Sequence, residues 1–329
     1  MTQYKLAGIG NAVVDVISHA DDNFLEMMGI EKGIMQLIER ERGEVLYAAM
    51  DDRLQTPGGA VANTIAGVGA LGLPTAFIGR VHDDALGQFY AQSMQDSGTD
   101  FVNAPVPGGE LPTSRSMIFV SPDGERSMNT YLGISTELGP DDVPNAVAAQ
   151  SEMIFLEGYL FDKDQGKDAF RQAARLTRGA GGKSGIAISD PFCVDRHRAD
   201  FLDMIGNELD YVIGNQHEIA SLFETDDLEA ALARTADMIP LVICTRSGDG
   251  VTIIGDGERH DIPVETVTPV DATGAGDQFA AGFLFGLIAG RDLATCGRMG
   301  NLCAAEVISH VGPRPQKDMA AVFKAEGLM

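Results

Sequence analysis

The sequence predicts an α/β fold: a three-layer α/β/α arrangement around a mostly parallel central sheet, with a small β-sheet set apart as a lid. Three observations predict it. Short apolar runs alternate with helix-patterned segments along most of the chain, and such alternation builds a parallel sheet covered by helices on both faces. Two β-rich excursions interrupt the alternation and supply the lid. The length of 329 residues suits one large α/β unit with an appendage. We therefore expect one domain over 1–329, with lid segments at about 13–38 and 114–133 inserted into it.

In order, KLAGIG (5–10) is a short apolar run ending in Gly, as a buried strand would be. The first excursion, about Val13 to Ile38, contains the β-like run IMQLI. AVANTIAGVGALG (60–72) reads as a helix of small residues. PTAFIGRV (74–81) is a strand, and ALGQFYAQSMQDSG (85–98) is an amphipathic helix stopped by Gly98. MIFVSPDGERSMNTYLG (117–133) has two β-rich arms around Pro122-Asp123-Gly124, a hairpin signal in which Gly supplies the positive φ. EMIFLEGYL (152–160) is a strand, DAFRQAARLTRGAG (168–181) a helix, and GIAISDP (185–191) a strand. DYVIGN (210–215) followed by EIASLFE gives another strand–helix pair, and PLVICTRS (240–247) a further strand. DQFAAGFLFGLIAG (277–290) and LATCGRMGNLCAAEVIS (293–309) are long apolar helices.

Composition excludes several classes of function. Lys plus Arg is 24 and Asp plus Glu is 48, a formal net charge of −24. Such a surface repels nucleic acid and anionic lipid, so neither is expected as a partner. A small anionic ligand needs a local positive field from helix N-termini, a few Arg side chains or a metal ion. No apolar run reaches the length of a membrane span, and MTQYKLAGIGNAVVDV lacks the basic-then-apolar pattern of a secretory signal, so a cytoplasmic location is expected. Cys193, Cys244, Cys296 and Cys303 form no C-x-x-C pair and read as buried thiols in a reducing compartment. The six histidines are scattered without metal-ligand spacing.

Two glycine-rich segments fail as nucleotide motifs. GVGALG (67–72) matches G-x-G-x-x-G, but its glycines end a helix where the dinucleotide fingerprint must open one. GAGGKS (179–184) resembles a P-loop, yet Thr177 stands where the first Gly belongs and a strand follows. No G-x-S-x-G elbow is present.

DATGAGD (271–277) differs in context. It follows a β-like run, VETVTPV, and opens the apolar helix QFAAGFLFGLIAG. The N–H groups of Gly274, Ala275 and Gly276 would point unpaired from a helix N-terminus, open to close approach by a phosphate. Asp277, beside that nest, is placed to accept a hydroxyl proton while the nest holds a phosphoryl group. Alone, it would be an ordinary first-turn acid. Asn11, Asp15, Asn63 and the Gly58-Gly59 pair offer short polar groups and bare backbone to a hydroxyl-rich ligand. Taken singly, Asp15 reads as a turn residue and Asn63 as a buried structural amide. Glu218, taken singly, reads as an ordinary first-turn acid. Arg126, on the second hairpin arm, is either a solvated edge charge or a lid cation that reaches the transferred phosphate.

DATGAGD resembles the second signature of the PfkB/ribokinase family of carbohydrate and nucleoside kinases; GGAVANTIAGVGALG (58–72) resembles the first, and NQHE (215–218) the N-x-x-E motif. The resemblance runs from Gly8 to about Gly312. It implies a ribokinase-like fold and ATP-dependent phosphoryl transfer to an alcohol. It implies Asp277 as base, Gly274, Ala275 and Gly276 as anion hole, and Asn215 and Glu218 as organisers of Mg²⁺ and ATP phosphates through water. Asp15, Gly58, Gly59 and Asn63 fall where the family binds substrate hydroxyls. Thr245 and Gly250 fall in its nucleotide loop, where Ser247 replaces a Gly of T-x-G-x-x-G, and Asn301 falls near the adenine. Asp271 and Thr273 resemble positions that bind a monovalent cation such as K⁺ in some members. The N-x-x-x-D spacing of Asn11 and Asp15, and ERSMNTYLG (125–133), resemble the adenosine kinase branch most. Phe119, Met35 and Phe161 are candidate base-reading residues. The readings open at this point are a nucleoside kinase acting on the adenosine 5′-OH, a sugar kinase for ribose, fructose or a sugar acid, and a nucleotide-binding regulator without catalysis. The molecule is expected as a monomer or homodimer.

Overall fold

The computed structural model describes residues 3–264 and 267–329. In chain order its strands are β1 (Tyr4–Ile9), β2 (Val13–His19), β3 (Met35–Leu37), β4 (Leu54–Gly58), β5 (Thr75–Ile78), β6 (Thr99–Phe101), β7 (Ser114–Val120), β8 (Arg126–Tyr131), β9 (Ser151–Glu157), β10 (Lys183–Ala187), β11 (Tyr211–Asn215), β12 (Leu241–Thr245), β13 (Val251–Gly255) and β14 (Glu258–Ile262). The large sheet runs β14-β13-β12-β11-β10-β9-β1-β5-β6 and is parallel except for the antiparallel β12-β13-β14 edge.

Period-2 alternation in the central strands feeds two separate cores, one on each face. Met153, Phe155, Tyr211, Ile213 and Ile243 point to the face covered by helices Ala60–Ala70, Ala275–Ile288 and Leu293–Val307. Ile154, Leu156, Val212, Val242 and Cys244 point to the other face, under helices Asp164–Gly179, Pro191–Asn207 and Leu228–Met238. Small residues let the first layer approach closely: a Cβ on Gly8 of β1 would lie 2.4 Å from the Ile65 side chain. The strand order reverses at β1, which lies between β5 and β9. In open α/β sheets the crevice beyond the carboxyl ends of strands at such a reversal is where ligands bind. β1 and β9 deliver Gly10, Asn11 and Glu157 to that crevice.

The lid is a five-stranded sheet, β3-β8-β7-β2-β4. Its back face carries Val14, Val16, Met117 and Phe119, buried with Leu25 and Leu46 of the short helices Asp22–Met27 and Arg40–Ala49. Its front face follows from the register. Thr56, Asp15, Ser116, Thr130 and Leu37 form one row, and Leu54, Ile17, Ile118, Met128 and Met35 form the next. The hairpin arms are β7 and β8, as the sequence predicts.

Several elements were not visible in the sequence. β4, LQTPG, carries Pro57 and Gly58, which argue against a strand except at an edge, and it is an edge. β14, ERHDI, is charged because it too is an edge. One expectation is corrected. The run VETVTPV before DATGAGD is not a strand over its described residues; Glu265 and Thr266 lie outside them, and the preceding strand ends at Ile262. All four cysteines are free and buried, and burial pushes each thiol up to about 12.

Candidate active site

Gly274 caps helix Ala275–Ile288 with φ +80°. A Cβ there would lie 2.6 Å from the Pro313 carbonyl oxygen, so both conformation and space require Gly. Gly276 faces open space, and among the described residues the Gly274 and Gly276 N–H groups have no backbone partner. The expected three-amide nest is therefore narrower. The N–H of Ala275 donates to the Ala272 carbonyl at 3.2 Å, because the loop closes as a tight turn before the helix begins.

Asp277 follows in the first turn. Its Oδ2 accepts from Asn63 Nδ2 at 3.0 Å, and its carbonyl accepts from Thr64 Oγ1 at 3.0 Å. Burial pushes its carboxyl up to about 7; the Asn63 hydrogen bond and Arg314 oppose this, whereas Glu157 and Asp15 add to it. Asp15, on the front face of the lid, is also pushed up to about 7 by burial against the pull of Arg126 and Arg314. It crowds Gly58, where a Cβ would lie 2.7 Å from its Oδ2. Gly59 has φ +97°, and a Cβ on it would lie 2.3 Å from the Asn11 carbonyl oxygen. The glycine pair thus lets the start of helix Ala60–Ala70 sit against Asp15 and Asn11.

Asn11 departs from its expected role toward substrate. Its Nδ2 donates to Glu157 Oε1 at 2.8 Å, and its Oδ1 accepts from Ser135 Oγ at 3.0 Å. Both ends of the amide are committed to the protein because Glu157, 1% exposed, has to be satisfied. Glu157 also accepts from the N–H groups of Asn11 at 3.1 Å and Val61 at 3.0 Å, the latter at the start of helix Ala60–Ala70. Sequence reasoning missed Glu157, although an acid inside the apolar strand EMIFLEGYL was the available signal. It also missed Arg314, whose Nε donates to Asn63 Oδ1 at 3.2 Å. Asn63 itself faces the site with both amide ends engaged, by Arg314 and Asp277.

Beyond Asp277 opens a cavity of about 690 Å³, lined by Asn215, Glu218, Thr245, Ser247, Gly250, Gly276 and Asn301 and by apolar groups including Phe155, Ala304 and Ile308. Thr245 ends β12 and Asn215 ends β11. Ser247 at φ +49° and Gly250 at φ +94° shape the loop between β12 and β13. A Cβ on Gly250 would lie 2.0 Å from the Ile262 carbonyl oxygen. Asn301 Nδ2 donates to the Pro263 carbonyl at 3.1 Å, which turns the amide toward the cavity wall. Asn215 and Glu218 form a reciprocal capping box: Asn215 Oδ1 accepts from Glu218 N–H at 2.9 Å, and Glu218 Oε2 accepts from Asn215 N–H at 2.9 Å. Burial pushes Glu218 up to about 7, with the Asn215 N–H opposing and Asp190 adding to the shift. Among the described residues no group of three or more His, Cys, Asp or Glu could hold a metal ion. Glu218, a buried carboxylate lining the same cavity as Gly276, nevertheless fits Mg²⁺ held through water, since both its oxygens already accept from Asn215 and Mg²⁺ is commonly held by one or two carboxylates together with substrate phosphates and waters.

Arg126 reaches from the lid hairpin onto the nest loop. Its Nη1 lies 2.9 Å from Asp271 Oδ2 and donates to Thr273 Oγ1 at 2.7 Å. The Asp271–Thr273 pair, expected to hold a monovalent cation, here holds a cation supplied by the chain. Burial raises the Asp271 carboxyl, but hydrogen bonds from Gly312 and Thr273, aided by Arg126, outweigh it and hold the group below its ordinary value. Two of the three base-reading candidates are corrected. Phe119 lies on the back of the lid against Phe24, and Phe161 stacks on Phe201 in the far core. Both are ordinary core aromatics; Met35 lies on the front face, 42% exposed.

Comparison with known proteins adds three findings. A family model described as pfkB family carbohydrate kinase matches residues 28–319. Two solved structures superpose over nearly the whole chain. One is a probable sugar kinase from Rhizobium etli CFN 42, TM-score 0.92, 42% identical, covering 100% of each chain. The other is an adenosine kinase from Sinorhizobium meliloti, TM-score 0.91, 44% identical, covering 98% of this chain and 99% of that one. Among sequence relatives, an uncharacterized sugar kinase from Archaeoglobus fulgidus is 30% identical over 254 residues, 75% of this chain and 96% of its own.

Proposed function

The chain belongs to the pfkB family of carbohydrate kinases and is a phosphotransferase with an alcohol acceptor, and from that premise we propose that its acceptor is the 5′-hydroxyl of a nucleoside, adenosine first. The observation that carries this reading is the front face of the lid. One row presents Asp15, Thr56, Ser116 and Thr130, a hydrogen-bonding surface suited to a ribose. The next presents Leu54, Ile17, Ile118, Met128 and Met35. At the two ends of the row Leu54 is 63% and Met35 42% exposed, while Ile17 and Ile118 between them are buried, at 8% and 1%. A free sugar gives an apolar row nothing to cover, whereas a base has an apolar face. The 44% likeness to the S. meliloti adenosine kinase supports the same choice. The sugar-kinase alternative rests on the comparable 42% likeness to the R. etli probable sugar kinase and on sequence relatives such as that from A. fulgidus.

In this reading the chain acts as one kinase unit over 1–329, with the lid inserted. Asp15, with Gly58 and Gly59 clearing space beside it, grips ribose hydroxyls. Asp277 takes the proton from the attacking hydroxyl, and a carboxyl pushed up to about 7 is matched to that task near neutral pH. The Gly274 and Gly276 amides face the phosphoryl group, with the helix N-terminus behind them. Thr245, Ser247, Gly250 and Asn301 form the nucleotide cavity, and Asn215 and Glu218 hold Mg²⁺ through water. When bound, Mg²⁺ supplies charge neutralisation between ATP phosphates and an acidic wall. Arg126 leaves Asp271 and Thr273 for the transferred phosphate. The reading as a regulator without catalysis is set aside, since an alcohol kinase family is shown.

The test is a panel of adenosine, other nucleosides, ribose and fructose, read by ADP release with Mg·ATP and by thermal shift. Nucleoside-dependent turnover with no response to free sugars is expected; turnover with fructose or ribose alone sinks the nucleoside reading.

A further inference from the structure

We propose that Arg314 is a positioning residue for phosphoryl transfer: it fixes which end of the Asn63 amide faces the Asp277 carboxylate. The proposal rests on Asp277 as base. Arg314 Nε donates to Asn63 Oδ1 at 3.2 Å, and Asn63 Nδ2 donates to Asp277 Oδ2 at 3.0 Å. A guanidinium has donors only, so the amide must turn its oxygen to Arg314, which leaves its NH₂ for the carboxylate. Without Arg314 only the ionised Asp277 carboxylate opposes the turned-over amide, and that opposition lapses whenever Asp277 is protonated and can itself donate to the amide oxygen. The rest of Asn63 is fixed, because its main-chain carbonyl accepts from Gln278 Nε2 at 3.1 Å.

Arg314 is delivered by a segment that already touches the nest. The Pro313 carbonyl crowds Gly274 and accepts from Gln278 Nε2 at 3.1 Å. Arg314 Nη2 rests on Met94 Sδ at 3.5 Å. The groups facing Asp277 are Asn63 from helix Ala60–Ala70, Asp15 from β2, Glu157 from the end of β9, Tyr159 just beyond it, and Arg314. The two acids there disfavour the ionised base, and Arg314 supplies the opposing positive charge.

The experiment is the pH dependence of kcat/KM on the full chain, with adenosine and Mg·ATP. Arg314→Met removes donor and charge at similar length. It should move the acid limb up by about one pH unit or more, as expected when an opposite charge beside a carboxylate is lost. It should also lower kcat about tenfold or more while KM for ATP stays within about twofold, since general-base geometry is lost and nucleotide binding is not. Arg314→Lys, which restores a charged donor, should recover the limb. A folded Arg314→Met with the wild-type limb overturns the proposal. If that variant does not fold, Arg314→Gln keeps a donor to Asn63 and drops the charge: the limb should still move up while kcat stays within about twofold, and a kcat lowered about tenfold with the donor in place, or an unmoved limb, overturns the proposal. Asp277→Asn separates the two claims: near wild-type turnover overturns the base and this proposal with it, whereas an inactive Asp277→Asn beside an unmoved Arg314→Met overturns this proposal alone.

Discussion

On the nucleotide side of the cleft, most groups are placed by residues close in sequence; Asn301, held by Pro263 38 positions away, is an exception. Asn215 and Glu218 cap one another, Gly274 turns the chain into the helix that carries Asp277, and Ser247 and Gly250 shape one short loop. On the acceptor side the partners are far apart in sequence. Asn63 and Asp277 are 214 positions apart, Arg314 and Asn63 251, and Arg126 and Thr273 147. The nucleotide side is a backbone construction with few charges; the acceptor side is a cluster of carboxylates and guanidiniums that only the folded chain assembles. The first should respond to changes in backbone conformation, the second to changes in charge.

The largest expected effect breaks the acceptor side. Asp277→Asn should lower kcat by about 10²–10⁴-fold, the usual worth of a general base, with ATP binding retained. Turnover near wild type, measured as ADP release, would remove Asp277 from the chemistry. Next, Gly274→Ala tests the nucleotide side. It forces a Cβ into φ +80° and to 2.6 Å from the Pro313 carbonyl oxygen. Strain of about 1–3 kcal/mol should appear as a lower melting temperature and weaker ATP binding. Unchanged ATP affinity by calorimetry would show that the nest does not depend on that backbone.

A smaller effect is expected from Leu54→Ser on the apolar lid row. KM for adenosine should rise several-fold, with KM for ATP unchanged, since part of about 1.5–3 kcal/mol of side-chain burial is lost. Equal rises in both constants would mean a general loss of structure instead. The smallest effect is on stability. Asp15, Asp277 and Glu218 are each raised to about 7 by burial. For a raised carboxyl the stabilisation is complete below the ordinary carboxylate range and is lost as pH rises through the folded value. The ligand-free protein should therefore melt progressively lower between about pH 4 and 7, and Asp15→Asn should flatten that slope. A wild-type slope in Asp15→Asn would mean that its carboxyl is not held up.

The same contrast explains what could be read from the sequence. Most of the parallel strands, the helices at 60–72, 85–98, 168–181, 277–290 and 293–309, the hairpin and the turn of DATGAGD are set by local periodicity and turn chemistry, so they were legible; helices Pro191–Asn207 and Leu228–Met238 were not read. Edge strands β4 and β14 were not, because Pro57 and the charges of ERHDI suit an edge and look like loop. Glu157 and Arg314 stand alone in apolar or turn-rich sequence, and only tertiary packing reveals that they face the site. Asn11 was read as facing substrate from its spacing to Asp15, yet a buried acid from β9 claims its side chain.

The four buried thiols have a practical consequence. Each is pushed up to about 12, so essentially none is thiolate at neutral pH, and thiol reagents attack thiolate. The surface therefore carries no competing thiol for a cysteine-directed dye. A single exposed substitution at the hairpin tip, Pro122→Cys, offers one site for fluorescent labelling, close in sequence to Arg126. Such a molecule could report ligand-driven release of the Arg126 latch in real time, without a coupled enzyme and without removing any native cysteine.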